Sequence, residues 1–464
     1  WLLARGGRQS VVIGYDGRKN SKVFAEDTAE IMQGAGVEAI LFDRALPTPV
    51  LAFAVRHLAV SAGVMVTASH NPAADNGYKV YLGGLDGGSQ IVPPADAEIE
   101  AAILATGPVN ELPRSTEYRF ADEEVVQAYV AQTAALRTGT EPAPHFVYTA
   151  MHGVGWPTAQ AVFAAAGLGS PDIVAEQIEP DPTFPTVAFP NPEEEGALDL
   201  SIALAEKTGA ELVVANDPDA DRLAIAVPTS TGWRRLSGNE VGSLLGWRAA
   251  ERAGGRGTLA ASLVSSPALA QIASAHGLGY QETLTGFKWI SRVDGLAFGY
   301  EEALGYLVDP AKVRDKDGIS AAVDFLALTA ELRAKGVTLE QHQAEFDERF
   351  GAYASAQISI RVTDLAAIGA TMTRLRANPP AAIGVDAVAR VDDFIAGFEG
   401  FAASNILRLW IGDTARVIVR PSGTEPKLKV YIDAWSREGN AAERRAAAEA
   451  QVAALDEGMR ALVA

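Results

Sequence analysis

Apolar, β-rich runs punctuate the chain: VVIGYD at 11–16, VEAILF at 37–42, GVMVTAS at 63–69, FVYTAM at 146–151 and ELVVAND at 211–217. Ala-rich segments of helical character separate them, and that alternation predicts α/β domains with largely parallel sheets. Several runs end in glycine, serine or aspartate, which puts polar groups at the carboxyl ends of strands, where open α/β sheets carry their sites. Towards the end of the chain, RLWIGDTARVIVRPSG and LKVYIDA read as strands, and an Ala/Glu/Arg-rich helix follows from about residue 440, an α+β arrangement.

Polar or proline-containing stretches at 138–144 (TGTEPAP), 229–239 (TSTGWRRLSGN) and around 350–358 mark candidate boundaries. With 464 residues and domains of about 100–200 residues, we infer four: 1–140, 141–236, 237–355 and 356–464. No short-period repeat interrupts this reading. The acidic stretch NPEEEGALDL (191–200) reads as a solvated helix start, and the opening WLLARGG as the end of a helix whose natural beginning lies upstream.

Composition narrows the functional classes. At 48% hydrophobic side chains the chain can bury substantial cores. No apolar run reaches the roughly 18 residues of a membrane span, and the sequence from Trp1 does not open on a charged region followed by an apolar one. These features predict a soluble protein with no membrane partner, and cytoplasm is the simplest address. A formal charge of −19 opposes adhesion to nucleic acid or anionic lipid, so an anionic substrate needs a few concentrated cations. Without cysteine, a metal must be held by oxygen or imidazole ligands.

Four segments carry candidate chemistry. In VTASHNPAADNGYK (66–79), Ser69, His70, Asn71 and Lys79 follow an apolar strand; an activated serine can carry a phosphoryl group, though a helix-capping loop has the same composition. In NDPDADR (216–222), the alternating Asp217, Asp219 and Asp221 can gather hard oxygens around one divalent cation. A calcium EF-hand is excluded because its sixth position would be Arg222 and its twelfth Pro228. In FGYEEALGY (298–306), Glu301 and Glu302 can accept hydrogen bonds from sugar hydroxyls or simply begin a helix. Lys288 in TGFKW is a site cation or an ordinary surface residue. In VIVRPSGTEPKLKVYID (417–433), Arg420 enters a Ser/Gly/Thr loop flanked by Lys427 and Lys429, which suits a phosphate. A Ser422/Glu425 capping box competes with that reading.

Together and in this order, the four segments resemble the α-D-phosphohexomutase superfamily, which includes phosphoglucomutase and phosphomannomutase. The resemblance runs through essentially the whole chain. It implies three related α/β domains with mixed, mostly parallel sheets and a smaller C-terminal α+β domain around a central cleft. It makes Ser69 the phosphoserine, and Asp217, Asp219 and Asp221 the Mg2+ ligands, with the serine phosphate filling the open metal position. Glu301 would contact sugar hydroxyls, and Arg420, Ser422, Gly423 and Thr424 would hold the substrate phosphate. Arg18, in GYDGRKNS, would face the phosphoserine; Arg222 and Lys288 would lie near substrate; Lys79 would assist proton transfer if nearby cations lower its pKa, with His70 as the alternative base.

The activity implied is interconversion of sugar 1-phosphate and sugar 6-phosphate, glucose or mannose, through a phosphoserine and a bisphosphate. A sugar bisphosphate such as glucose 1,6-bisphosphate would be the activator. The site must exclude water, so closure by the last domain is expected. Hexose-specific members commonly have serine two residues after the first glutamate of the sugar loop. Here that position is Ala303, and GYEEALGY looks more like the phosphoglucomutase-2 and phosphopentomutase branch and like bacterial proteins labelled phosphomannomutase. Ribose or deoxyribose 1-phosphate is therefore the alternative substrate, and a magnesium-dependent phosphatase or a non-catalytic phosphosugar-binding protein are the rival classes. The family's N-terminal segment, with its own Gly- and Arg-containing loop, is expected before Trp1.

Overall fold

The computed structural model describes residues 1–362, 365–422 and 427–463. They form two compact units, Trp1–Ala260 with Thr285–Val337, and Ala261–Leu284 with Thr338–Ala464.

The first unit opens with a six-stranded sheet of β1 (Ser10–Tyr15), β2 (Glu38–Leu41), β3 (Ala62–Val66), β4 (Tyr78–Leu82), β5 (Ser89–Gln90) and β6 (Arg119–Phe120), in the order β5-β4-β3-β1-β2-β6. Strands β3, β1, β2 and β6 run parallel, whereas β4 and β5 fold back antiparallel. A second sheet of β7 (Phe146–Thr149), β8 (Asp172–Ile173), β9 (Leu212–Asn216), β10 (Leu223–Thr229) and β11 (Gly232–Arg235) repeats the plan in the order β11-β10-β9-β7-β8. Again a parallel centre carries an antiparallel hairpin at one side. The central strands are buried along their whole length, which is why they read as continuous apolar runs. The stretch 229–239, read from sequence as a boundary, contains β11, because Gly232 at φ 125° permits a tight hairpin that extends the sheet.

Strand β12 (Thr258–Ser262) carries the chain from the first unit into the second, where β13 (Gly279–Thr283) lies. Back in the first unit, β14 (Leu296–Glu301) and β15 (Gly305–Leu307) pair antiparallel, followed by the helix Gly318–Ala334.

The second unit holds a hairpin of β17 (Ala382–Ile383) and β18 (Asp386–Ala387). It is built on β16 (Ala352–Arg361), β19 (Arg390–Asp393), β20 (Leu407–Ile411), β21 (Ala415–Pro421) and β22 (Lys427–Ser436), ordered β16-β22-β21-β20-β19. The stretch around 350–358, also read as a boundary, is largely β16 and pairs residue for residue with β22. One face of this sheet packs Ile358, Val417, Val419, Val430 and Ile432 with Met372 of the helix Leu365–Ala377 and Leu455 and Met459 of Ala441–Val463. On the other face the buried Arg416 donates to Asp433 at 3.0 Å and to Glu282 at 2.9 Å. Arg408 reaches the second oxygen of Glu282 at 3.0 Å, so segment 261–284 is tied to this sheet by shared charge.

Candidate active site

Ser69 is delivered by β3, whose last residue is Val66. The chain then turns without entering a helix, so the capping alternative is removed: Asn71 N–H bonds to Ala68 O at 2.9 Å, and the next regular element is β4. Ser69 sits at φ 52°, a left-handed conformation disfavoured for a residue with Cβ. Its N–H donates to Thr67 Oγ1 at 2.9 Å, and Thr67 Oγ1 donates to Asp16 Oδ2 at 2.8 Å. The hydroxyl donates to Asp217 Oδ2 at 3.1 Å and lies 3.3 Å from His70 Nδ1.

Arg18 differs from the expectation. Its guanidinium does not face the Ser69 hydroxyl; it lies beneath the loop and donates to the carbonyls of Ser69 (2.6 Å), Asn71 (2.7 Å), Pro72 (2.8 Å) and Asp75 (3.3 Å). Asp16 anchors it from below at 3.2 Å from Nε. The physical reason is burial: a guanidinium this enclosed must satisfy its five donors locally, and the loop's main-chain oxygens are the acceptors at hand. Arg18 therefore shapes the serine loop.

The aspartates follow β9, on a loop that turns through Ala220 at φ 56°. All three are fully buried, with ligand oxygens within 4.8 Å of one another. Asp217 Oδ1 accepts from Arg222 N at 3.0 Å, and Thr48 Oγ1 donates to Asp219 Oδ2 at 2.5 Å. Lys79 Nζ bridges Asp219 Oδ2 (2.6 Å) and Asp221 Oδ2 (2.5 Å). Asp219 Oδ1 and Asp221 Oδ1 are buried with no hydrogen-bond partner. Two orphaned carboxylate oxygens beside a serine hydroxyl are a donor set of the hard kind that magnesium takes.

Electrostatics sorts these groups. Burial, and then Asp219 and Asp221, push the Asp217 carboxyl well above its ordinary range. Burial would raise Asp221 too, but Lys316, Lys79 and Arg222 outweigh it and hold that carboxyl low. For Lys79 burial works downward, yet Asp219, Asp221 and Asp315 prevail and hold its pKa above the ordinary lysine value. This is opposite to the lowering that a neutral lysine base requires, because the charges facing Lys79 most closely are carboxylates.

Glu301 and Lys288 lie in the same unit. Glu301 ends β14 and begins no helix; its Oε1 accepts from Gly286 N at 2.5 Å, which joins it to the loop bearing Lys288. Burial, and then Glu302, raise the Glu301 pKa. Arg222 NH1 donates to Ala303 O at 2.9 Å, linking the aspartate loop to the loop that follows Glu301. Lys288 lies in the short helix Phe287–Ile290, with Nζ 5.6 Å from the Trp289 ring centre. Arg420 is the penultimate residue of β21 in the second unit, and Ser422 follows the strand, its N–H bonded to Lys427 O at 2.8 Å. Gly423 and Thr424, like Glu425 of the competing capping box, lie outside the described residues.

Sequence reading passed over several participants. Lys316 Nζ stands 3.2 Å from Asp221 and 3.6 Å from Asp315, and Asp315 accepts from Tyr81 OH (2.7 Å) and Gln90 Nε2 (2.6 Å). Asp16, Thr67 and Thr48 were missed likewise. The run RDKDG at 314–318, ending at a helix start, was the available signal. There Gly318 is required, since a Cβ would lie 2.2 Å from Arg222 O.

A serine hydroxyl hydrogen-bonded to a buried cluster of hard oxygens able to hold a metal ion, on repeated α/β domains, is an arrangement that suits a phosphoryl-transfer class of enzyme. Comparison with known proteins specifies it. Four family models match in succession: phosphoglucomutase/phosphomannomutase alpha/beta/alpha domain I over residues 1–108, domain II over 127–232, domain III over 237–349 and the C-terminal domain over 360–451. The chain belongs to the phosphoglucomutase/phosphomannomutase family, within the α-D-phosphohexomutase superfamily, and is an enzyme of the phosphohexomutase type. It is 56% identical to a "Probable phosphomannomutase" of Haemophilus influenzae over 97% of this chain and 92% of that one. It is 35% identical to the phosphopentomutase of Homo sapiens, over 93% and 79% respectively. A solved phosphoglucomutase/phosphomannomutase family protein from Burkholderia thailandensis shares the fold at TM-score 0.74 and 22% identity, covering 100% of this chain and 90% of its own. Among the described residues, no helix is long and apolar enough to cross a membrane.

Proposed function

We propose that this enzyme interconverts the 1- and 6-phosphates of glucose or mannose through phospho-Ser69 and a sugar bisphosphate. The observation that carries the reading is the 3.1 Å contact from Ser69 Oγ to Asp217, in a triad with two unpartnered buried oxygens. Asp217, Asp219 and Asp221 would hold magnesium, with a phosphate oxygen on Ser69 as a further ligand. When bound, the ion supplies Lewis-acid stabilisation of charge on the transferring phosphoryl group.

The chain's own residues do the rest. The bond from phosphorus to Ser69 Oγ breaks as the sugar hydroxyl oxygen bonds to phosphorus, and the hydroxyl proton passes to His70, whose Nδ1 is 3.3 Å from Ser69 Oγ. Lys79, held protonated, offsets charge as it redistributes. Glu301 accepts from sugar hydroxyls, Arg222 and Lys288 bind near the sugar, and Arg420 with Ser422, Gly423 and Thr424 holds the phosphate that is not being transferred. The bisphosphate then turns over and returns its other phosphate to Ser69.

A second reading, phosphopentomutase, is favoured by Ala303, which offers no side-chain hydroxyl to a hexose, and by similarity to the human phosphopentomutase. The test is incubation with Mg2+, a trace of glucose 1,6-bisphosphate and, separately, glucose, mannose and ribose 1-phosphate. Isomerisation without net phosphate release supports a mutase, and the best kcat/KM names its sugar. Phosphate release without isomerisation would make it a phosphatase, and neither would leave a binding protein.

A further inference from the structure

Between β8 and β9 of the first unit the chain runs through IEPDPTFPTV (178–187), which forms neither helix nor strand. Phe184 in its middle stands at φ 48°, a left-handed conformation that is an outlier for so bulky a residue. Bonds on both sides hold it there. Phe184 N–H donates to Asp181 O at 3.1 Å, and Asp181 Oδ1 accepts from the N–H and the hydroxyl of Thr183 at 2.8 and 2.7 Å. Beyond the ring, Thr186 Oγ1 accepts from Gln177 Nε2 at 2.9 Å and lies 2.8 Å from His152 Nε2. Gln177 is bonded in turn to Thr149, the last residue of β7, at 2.7 Å, and Asp181 N–H donates to His152 O at 3.0 Å. Such over-determination is what lets a strained residue persist, and strain kept in this way is a pointer to function.

The strained residue presents its ring to Arg18, whose Cζ lies 5.1 Å from the ring centre. Guanidinium N–H groups point outward in the plane of the group, so the bonds from Arg18 to the carbonyls of Ser69, Asn71, Pro72 and Asp75 occupy its edge and leave its faces. A face has no donor to offer, and an aromatic ring is the partner that suits it, through the negative charge of the π surface. Phe184 is itself only 4% exposed, so the contact is made away from water, where it is strongest. A second contact fixes the same segment against the same loop. A Cβ on Gly17, the residue before Arg18, would lie 2.9 Å from Pro180 Cβ, which is closer than two carbons approach.

We propose that Phe184 is a positioning residue for Ser69: its ring caps the Arg18 guanidinium, and the capped guanidinium holds the serine loop by its carbonyls. The chemical consequence rests on the reading of Ser69 as the phosphoryl carrier. The strained main chain at 184 is thereby coupled to the left-handed Ser69, 115 positions earlier, through one cation. Without the ring, water reaches the guanidinium face, the loop carbonyls share a less fixed donor, and the Ser69 hydroxyl loses its set direction towards Asp217. Phe184 touches no reacting atom in this scheme, so its loss slows transfer and leaves the binding of a phosphosugar unchanged.

The test uses the full chain with Phe184→Leu and, at the same position, progressively fluorinated phenylalanines, which keep the shape of the ring and weaken its π surface. Hydrogen exchange is read at the amides of Ser69 and Asn71, which donate to Thr67 Oγ1 and Ala68 O. In Phe184→Leu exchange there should quicken about tenfold, the weight of one largely desolvated cation–π contact, and the fluorinated series should quicken it step by step. Gly17→Ala, which forces Pro180 away, should quicken the same amides. On glucose 1-phosphate with Mg2+ and a trace of glucose 1,6-bisphosphate, kcat of Phe184→Leu should fall about tenfold with KM held. Unchanged exchange in Phe184→Leu, or a fluorinated series that stays flat while leucine quickens exchange, overturns the proposal, since the ring would then be filler alone. Exchange needs no turnover, so it reads the coupling even if the natural protein fails to isomerise any sugar phosphate, a result that would count against the phosphoserine reading instead.

Discussion

Replacing Asp16 by alanine tests the claim that the serine loop is held from beneath. The carboxylate is buried and accepts from Ser21 Oγ (2.6 Å), Thr67 Oγ1 (2.8 Å) and Arg18 N (3.0 Å), and its Oδ2 lies 3.2 Å from Arg18 Nε. Three hydrogen bonds at about 1 kcal/mol each give about 3 kcal/mol. Leaving the Arg18 guanidinium buried without its carboxylate adds to this, though the four loop carbonyls remain, so Asp16→Ala should cost about 3–5 kcal/mol. Hydrogen exchange under increasing urea, read at the amides of Val66, Thr67 and Ser69, measures the loss locally and avoids assuming two-state unfolding of a two-unit chain. Turnover should fall by about 100-fold, as expected when a reacting group is misplaced by about 1 Å. Asp16→Ala combined with Arg18→Met should cost less than the two single changes added, because the second removes the stranded charge. A loss below about 1 kcal/mol for the single variant, or additivity in the pair, would refute the reasoning.

Ser69→Ala should abolish isomerisation while shifting the melting temperature little, since the hydroxyl makes two long contacts, with Asp217 at 3.1 Å and His70 Nδ1 at 3.3 Å; a melting curve beside an activity assay decides it, and an active variant sinks the phosphoserine. Asp217→Asn should melt no lower than the natural protein without metal, because burial and two neighbouring carboxylates oppose its charge, yet it should lose the rise in melting temperature that Mg2+ produces. Gly318→Ala should lower both stability and Mg2+ affinity, as its Cβ would meet Arg222 O at 2.2 Å and Asn216 Nδ2 at 2.7 Å; unchanged Mg2+ binding by calorimetry would count against that packing. Burial holds the Asp16 pKa above its ordinary value, so its contribution is full below the unfolded pKa and falls as pH rises through the folded one. The stability of the natural protein relative to Asp16→Asn should therefore decline from about pH 4 upward, measured by urea midpoints, and a widening gap would contradict it.

Local chemistry was legible wherever a loop carries its own signature. The strand ends, the alternating aspartates and the Ser69 turn could be found from the chain because each is a run of neighbours. What could not be found are partners set by tertiary contact. Lys316 meets Asp221 from 95 positions away, and Tyr81 meets Asp315 across 234 positions. Arg18 shows the same limit in another form: its residue type and position were evident, but its direction depends on carbonyls more than 50 residues distant. The stretches at 229–239 and 350–358 contain strands, β11 and β16, that their composition did not reveal. Polar, turn-rich stretches resemble linkers when the strand they pair with is unknown, and β11 and β16 are edge strands with exposed residues along them.

If Ser69 carries the phosphoryl group as we propose, the charges around the triad suit its cycling. Asp217, Asp219, Asp221 and Asp315 face Lys79, Lys316 and Arg222, all within the first unit. Four carboxylates against three cations leave a small negative excess, and a divalent ion reverses it to a small positive one. A phosphorylated Ser69, at about −1.5 to −2, then brings the cluster back near neutrality, so the loaded site has no large net charge to bury. Loss of the phosphoryl group leaves a positive excess that favours recapture of a phosphate dianion, not of water. Removing one cation should tilt that balance: Lys316→Met should weaken retention of the phosphoryl group while strengthening Mg2+ binding, because Asp221 loses a competitor. Phosphoserine lifetime by intact-mass spectrometry and Mg2+ titration by calorimetry read the two effects separately. If both move in the same direction, charge balance is not what governs the cycle.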